Sequence, residues 1–481
     1  MKRFITRPRG LLLLLAALGG CASVPREAGF DEVRKLTSER IEQRVQWNRN
    51  GEDDQATAAA VAALLAQPLE KDAAVQIALL NNRALQARFE DLGVAQSDLV
   101  QAGLLANPVF AASHARNGDV SKTVLGVEFN FLNLLLLPLQ QTMETARFEH
   151  TKFQVAQEII KLSTEVKKAW VAAVAAEQTV EMYQSVVAGA EAQAQLAARQ
   201  FAAGAISHRE RNKLQAFHAE SLTQIARAQN QQLTEREKLN RLLGLTGQQT
   251  QWTLPGRLPE TLFDPPALNQ LEKLALDQRL DLRAAQRETA AFGEALGITR
   301  GSRFVNLLNI GFEREKTTGE RTLAGPSVQF ELPLFDQGQA RLARHESLYR
   351  QSEQRLAQLA VDVRSEVRES HHLLLSAREQ AAHQRSVILP LRQEILEQTQ
   401  RYYNGMLDGV YSLLADAREQ VLAGQAFVEA LKNYWVAHAE LERALGGRLP
   451  AAMPSAITPS GNAIAPPAKP VSAPAAPVHA H

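Results

Sequence analysis

The chain of 481 residues has a single cysteine, Cys21, only 6% aromatic residues and a formal net charge of +1. Each scarcity excludes something. One cysteine allows no intrachain disulfide and no thiolate metal cluster, which suits an oxidising compartment. Near-neutrality leaves no basic footprint, so no nucleic-acid partner is expected. Catalytic signatures are missing too: there is no Gly-x-Ser-x-Gly elbow, no His-Glu-x-x-His helix and no phosphate loop. His345-Glu346 lacks a second histidine. His371 and His372 are adjacent, so on a helix they point about 100° apart and cannot share a metal. No enzyme activity, catalytic residue, resident metal or cofactor is expected.

What is present begins at the ends. Lys2, Arg3, Arg7 and Arg9 precede an apolar run over residues 11–18, too short to span a bilayer as a mature helix. Leu18-Gly19-Gly20-Cys21 follows, which resembles a bacterial lipobox, with Cys21 as the acylated, palmitate-bearing N-terminus of the mature chain. Ala22 rather than Asp after the cysteine resembles the signal for sorting to the outer membrane. At the other end, residues 450–481 are Pro, Ala and Ser with almost no charge, a composition that predicts a disordered tail. His479 and His481 in that tail read as solvated.

Between the ends, the second half repeats the first at an offset of 201 residues, from Gly118 to Gly319 and from Val127, Phe129 and Phe131 to Val328, Phe330 and Leu332. Gly204 corresponds to Gly405 on the same count. A unit this long is a duplicated half-molecule, not a small solenoid repeat. Each half opens on a helix, over residues 69–103 and 268–296. A strand hairpin follows, first as residues 108–116 and 123–131 around Asn117-Gly118-Asp119, then as residues 307–314 and 325–332 around Thr317-Thr318-Gly319-Glu320. Leu125, Val127, Phe129, Val328 and Phe330 alternate with Glu128, Asn130, Gln329 and Glu331, giving one apolar and one polar face. The apolar face meets either a protein core or lipid around a wet interior. Four strands are too few to close a barrel from one chain, so a barrel requires an oligomer.

A long helix follows each hairpin, over residues 139–203 and 338–404, and returns through a shorter helix, over residues 207–243 and 410–445. Each long helix would reach roughly 90–100 Å. Pro390 should kink or locally open the second. From Val155 to Phe201, fourteen positions spaced four and three apart are all apolar or aromatic, a coiled-coil seam of period 3.5. Adding 201 gives Leu356 through Gln384, Ile388, Leu391, Ile395, Gln398 and Tyr402, of which eleven of fourteen are apolar or aromatic.

Pro333-Leu334-Phe335-Asp336-Gln337-Gly338 at a strand-to-helix junction, the two glycine turns, the twofold repeat and the lipobox together resemble the outer membrane efflux protein family, the TolC-like channels. The resemblance covers residues 60–447. It implies an α+β membrane protein: a homotrimer whose four strands per chain make a twelve-stranded barrel, continued by a periplasmic α-helical barrel. The first junction departs from the motif, with Leu132 where Pro333 stands. Its leucine-rich run, residues 132–137, is expected to form helical turns at a protomer interface, with a membrane-interface patch as the alternative.

The resemblance implies an outer-membrane exit duct of a tripartite efflux system for small molecules or metal ions, partnered by a periplasmic adaptor, an inner-membrane pump and outer-membrane lipid. A duct for type I protein secretion is the alternative; a structural coiled-coil envelope lipoprotein does not account for the two strand hairpins. The expected division is a signal over residues 1–20, an acylated segment over 21–65, repeats over 66–250 and 267–447, a linker over 251–266 and a tail over 448–481. Gly204, Ser207, Gly405 and Asp408 are expected at the periplasmic mouth as an adaptor-docking site, with Ser207 and Asp408 capping the returning helices. Arg199, Arg401, Tyr402 and Asp408 are candidate gate residues. Glu128, Asn130, Gln329 and Glu331 are expected to face the pore, and Leu125, Val127, Phe129, Val328 and Phe330 the lipid.

Overall fold

The computed structural model describes residues 23–49 and 52–450. The signal, Cys21 and residues 451–481 of the expected tail lie outside the described residues. Helices α1 (Phe30–Ile41), α2 (Glu52–Leu65), α3 (Lys71–Asn81) and α4 (Arg83–Ala102) lead to strands β1 (Val109–Asn117) and β2 (Val120–Asn130), then to α5 (Phe131–Ala202) and α6 (His208–Leu243). The second repeat comprises α7 (Leu268–Gln278), α8 (Leu280–Ser302), β3 (Leu308–Thr317) and β4 (Leu323–Phe330). It continues through α9 (Gln339–His383), a π-helical turn (Gln384–Ile388), α10 (Leu389–Asn404) and α11 (Val410–Leu445).

The strands form one antiparallel sheet in the order β1-β2-β3-β4, so both outer edges are unpaired within the chain. The register aligns like with like. Phe110, Val127 and Phe312 share one row, and Phe129, Ile310 and Val328 another. Asn130, Asn309 and Gln329 line up on the opposite face. The apolar rows cover no protein core: Phe110, Phe312, Val328 and Phe330 are all more than half exposed. Among the described residues, no helix is long and apolar enough to cross a membrane.

Each repeat is a hairpin of one long and one shorter helix. Across the wall the order is α6, α5, α11, then α9 with α10. The main core lies at mid-height, where Ile159, Val166, Val367, Leu374, Leu431 and Tyr434 meet α3, α4 and the chain between the repeats. That chain, expected as a linker, is part of the core. Trp252, Leu258 and Leu262 are buried, and the Trp435 indole N–H donates to the Pro259 carbonyl at 2.9 Å. Arg448, expected in the tail, is also fixed, its N–H donating to the Arg40 carbonyl at 3.1 Å.

The expected first helix of each repeat is broken in two, at Asn82 and Arg279. Both residues clasp the end of a returning helix. Asn82 caps α4 by accepting from Leu85 N–H at 2.9 Å and donates to the Leu242 carbonyl at 2.8 Å. Arg279 reaches the Ala444 carbonyl and forms ion pairs with Asp281 and Glu366. Burial alone would lower the Arg279 pKa, but the two carboxylates more than offset it and raise it. These clasps are equivalent by the repeat, and they show that the offset is not constant. It is 197 between α3 and α7, 201 between Gly118 and Gly319, and 202 between Leu242 and Ala444.

The last step, from 201 to 202, falls in the π-helical turn. Above it, Val166, Ala173, Ala176 and Val180 match the buried Val367, Leu374, Ala377 and Ala381 at 201. Below it, the buried Ala197 matches the buried Thr399 at 202. Pro390 explains the location. Its ring nitrogen cannot donate to the carbonyl of Ser386, and its ring crowds that carbonyl. The preceding turn widens, so that Leu389 N–H bonds to the Gln384 carbonyl five residues back. The local opening expected at Pro390 is present, but the seam expected at Leu391, Ile395, Gln398 and Tyr402 is not: all four are exposed.

The two strand-to-helix junctions differ as their sequences do. In the first, Asn130 accepts from Asn133 N–H at 3.2 Å, so α5 starts at Phe131, before the expected residue 139, and runs through the leucines and Pro138. In the second, Pro333 delays the helix until Gly338, whose φ is +70°. A β-carbon on Gly338 would lie 2.5 Å from the Arg303 carbonyl oxygen. Asp336 accepts from Gly338 N–H at 2.8 Å, and Asn306 donates to the Asp336 carbonyl at 2.9 Å. Gly338→Ala should therefore destabilise the folded chain by about 2–3 kcal/mol, combining a left-handed φ with backbone overlap. Gly118→Ala, where a β-carbon meets open space, should cost about 1 kcal/mol. Thermal melts followed by circular dichroism at 222 nm give the comparison, and equal costs would refute it.

Candidate functional site

Two regions carry the candidate residues: the sheet at one end and the two helical turns at the other. On the sheet, Leu125 and Val127 lie on the same face as Phe129, and the register joins them to Val328 through Ile310. Glu128 occupies the opposite face beside Gly311 and Ser327. Asn130 lies on that face but also serves as the N-cap of α5, a second role the pattern did not indicate. Glu331 lies just past β4 and donates its N–H to the Leu307 carbonyl at 3.3 Å.

At the first turn, Gly204 has a φ of +73°, and Ala205 N–H donates to the Gln200 carbonyl at 2.8 Å, closing the end of α5. Ser207 then caps α6 as expected. Its hydroxyl accepts from Glu210 N–H at 3.2 Å while Glu210 accepts from Ser207 N–H at 2.8 Å. The Ser207 N–H, and with it the Ser207 hydroxyl, holds the Glu210 carboxyl below the usual carboxylate range.

The second turn corrects the sequence correspondence. Gly405 has a φ of −81°, and the left-handed residue is Met406, at φ +56°. Leu407 N–H donates to the Tyr402 carbonyl at 2.9 Å, the same bond as in the first turn shifted by the extra residue. Asp408 does not cap α11. Gly409 is the N-cap, and Asp408 instead accepts from Gly409 N–H and the Ser412 hydroxyl, which lowers its pKa. Arg199 and Arg401 form no ion pair among the described residues of one chain. Their carbonyls accept from Ala203 and Gly405 N–H at the helix ends.

The sequence comparison overlooked Met406 and Leu407, which are 93% and 78% exposed at the turn. Two apolar residues directly after a turn glycine were the available signal. It also missed a basic collar just behind them. The Lys213 ammonium lies 3.1 Å from the Tyr411 ring centroid, with Arg209 at 5.5 Å. Burial and the neighbouring Arg209 and Arg418 lower the Lys213 pKa. A recess of about 1300 Å³ lies near the sheet between α4, α5, α8 and α9 and is lined by Glu144, Arg147, Arg344 and His345. No cluster of metal-ligating side chains occurs among the described residues.

No protein-family profile and no curated protein sequence matches the chain. Solved structures do. A membrane protein from Pseudomonas aeruginosa superposes with a TM-score of 0.68 at 18% identity, over 78% of this chain and 93% of its own. The outer membrane protein VceC of Vibrio cholerae gives 0.66 at 14% identity, over 79% and 96%. The Campylobacter jejuni CmeC outer membrane channel gives 0.66 at 14%, over 86% and 92%. The chain shares the fold of these solved membrane proteins. Within that fold, the sheet and the two turns are the opposite ends of one elongated body.

The turns generate a stability test. Ser207→Ala should cost about 1 kcal/mol by removing the cap. Met406→Gly should gain about 1 kcal/mol by removing a left-handed side chain. Amide exchange at the ends of α6 and α10 reads both. Because the Glu210 pKa is lowered by folding, its contribution is full above its unfolded value and lost as pH falls through the folded one. Protection at the start of α6 should therefore drop on acidification into the carboxylate range, and Glu210→Gln should abolish that dependence. A pH-independent start of α6 in the native chain would refute it.

Proposed function

We propose that this chain is the outer-membrane channel of a tripartite efflux system, a passive duct without catalytic activity. The observation that carries this reading is the open sheet. It has two unpaired edges, an apolar face that covers no protein and a polar face, and it sits at one end of helices far longer than a globular core needs. In lipid, an unpaired edge costs several kcal/mol per buried polar group, so such a sheet must close. Three chains of four strands form a twelve-stranded barrel, and the helical hairpins of the three continue it as a tube. CmeC is an outer membrane channel, which supports the same role here.

The polar face, with Glu128, Asn130, Gln329 and Glu331, lines the pore; Leu125, Val127, Phe129, Val328 and Phe330 face lipid. Acylated Cys21 tethers the N-terminus to the outer membrane. The turn end, with Gly204, Ser207, Gly405, Asp408 and the exposed Met406 and Leu407, forms the periplasmic mouth that receives an adaptor, itself coupled to an inner-membrane pump. Arg199, Arg401, Tyr402 and Asp408 of three chains stand round that mouth as its gate.

Purified protein in planar bilayers should conduct. Val127→Arg or Val328→Arg should reduce membrane-inserted protein, at a cost of about 2–4 kcal/mol near the midplane. Glu128→Arg should leave insertion intact and shift the reversal potential toward anions. Equal insertion defects at all three positions would mean that both faces pack on protein, and the reading would fail. Cys21→Ser behind a cleavable signal should lose the lipid yet remain in the membrane fraction; a wholly soluble product would exclude the barrel.

A further inference from the structure

We infer that the π-helical turn Gln384–Ile388 is a phase shifter, which turns the apolar stripe of α10 outward so that Leu391, Ile395 and Tyr402 pack on α6 of a neighbouring copy of this chain. The inference rests on the oligomer proposed above and specifies how its helices meet.

Below the turn, α10 faces α11 with Arg392, Thr399 and Tyr403, the last packed beside Val410 and Leu414. Arg392 pairs with Glu419 at 3.1 Å, and Thr399 donates to Asp416 at 2.6 Å. The apolar residues lie one position earlier, about 100° round the helix. Leu391, Ile395 and Tyr402 are 51%, 40% and 53% exposed. Without the extra residue, these would face α11, and the outward positions would be Pro390, Glu394, Glu397 and Arg401. The corresponding positions on α5 are Gly189, Gln193, Leu196 and Gln200, so the apolar stripe is particular to the second repeat. With the exposed Gln398 between Ile395 and Tyr402, the stripe has steps of four, three and four, the pattern of a coiled-coil seam, whose natural occupant is another helix.

The occupant follows from a contact already present. Within the chain, the long helix of the first repeat packs on the returning helix of the second, α5 on α11. Met182 and Val186 cluster there with Val421, and a β-carbon on Gly424 would lie 3.1 Å from the Met182 sulfur. The repeat maps Val186 onto Ile388, Val421 onto Ala219 and Gly424 onto Leu222. The missing counterpart is therefore α10 on an α6, and the chain's own α6 and α10 lie on opposite flanks of the α5–α11 pair. On α6, Gln215, Ala219, Leu222, Ala226, Gln229 and Leu233 are all exposed, again in steps of four and three. Ala219 and Ala226 leave room on that stripe for the larger side chains of α10. Leu391 and Ala219 are also equally far along the chain from the left-handed residues of their turns, Met406 and Gly204. Contacts of this heterologous kind close into a ring.

The test places a benzoylphenylalanine photocrosslinker at position 391 or 395 of the full-length protein in its native membrane, and maps the crosslinks by mass spectrometry. The expected product joins two copies, with the partner peptide inside residues 208–233. Deleting Val387 should return the offset to 201 and redirect the crosslink to α11 of the same chain. Because that deletion could disturb folding, Leu391→Glu with Ile395→Glu is the second variant. It should retain the wild-type helical circular dichroism but lose the multi-copy species in native mass spectrometry. Three copies by mass with crosslinks only inside one chain, or only to a different protein, would overturn the inference and leave the channel reading standing. A single copy by mass in the unaltered protein would remove the proposed oligomer and the inference with it.

Discussion

Phase along the helices is the constraint on which everything else depends. Helix α5 has 72 residues and α9 has 45, and each is held to its neighbours by a stripe only one or two side chains wide. In such a seam a single inserted residue rotates everything beyond it by about 100°. The chain meets this demand in two ways. At mid-height a large core, reinforced by α3, α4, α7 and the inter-repeat segment, fixes the phase of four helices together. Toward the turns, only two small clusters remain, built on Ala190, Ala197, Leu214 and Val410 and on Val180, Tyr183 and Ala228. Low local contact density places these arms at the less stable end of the molecule.

Much of this was legible in the sequence. Period-two alternation with glycine loops located all four strands within a few residues, and the register joined the alternating sets face to face. Period-3.5 spacing located both long helices, and Ser207, expected to cap α6, does so, whereas Asp408 does not cap α11. What failed was the assumption of a constant offset. A one-residue insertion inside a helix leaves no mark in composition, since the apolar run continues through it unbroken. Gly405 consequently matched Gly204 in the alignment, while in space Met406 takes the left-handed position. The inter-repeat segment was misread for a different reason. It was expected as a linker, whereas Trp252, Leu258 and Leu262 are spaced irregularly and bury against several helices at once.

The repeats have diverged where their surroundings differ. One strand passes directly into a helix through an asparagine cap; the other turns through Pro333 and a glycine that no other residue can replace without overlap. The second junction leaves Leu334 and Phe335 70% and 91% exposed, against 38% and 44% for Leu134 and Leu135 in the first. Duplication supplied the architecture, and local substitutions at the junctions and turns made the halves distinct.

The pairing of β2 with β3 has a kinetic meaning. Lys122 lies opposite Thr317, so the centre of the sheet joins residues separated by both helices of the first repeat and by α7 and α8. Closing such a long loop in an unfolded chain carries an entropic penalty and slows folding. Helical hairpins form from local contacts and, once packed at mid-height, bring β2 beside β3 at little further entropic loss. The rods therefore act as the template for the sheet, which is the last part to be completed. A newly synthesised chain can thus keep its apolar strands separate until its helices are built.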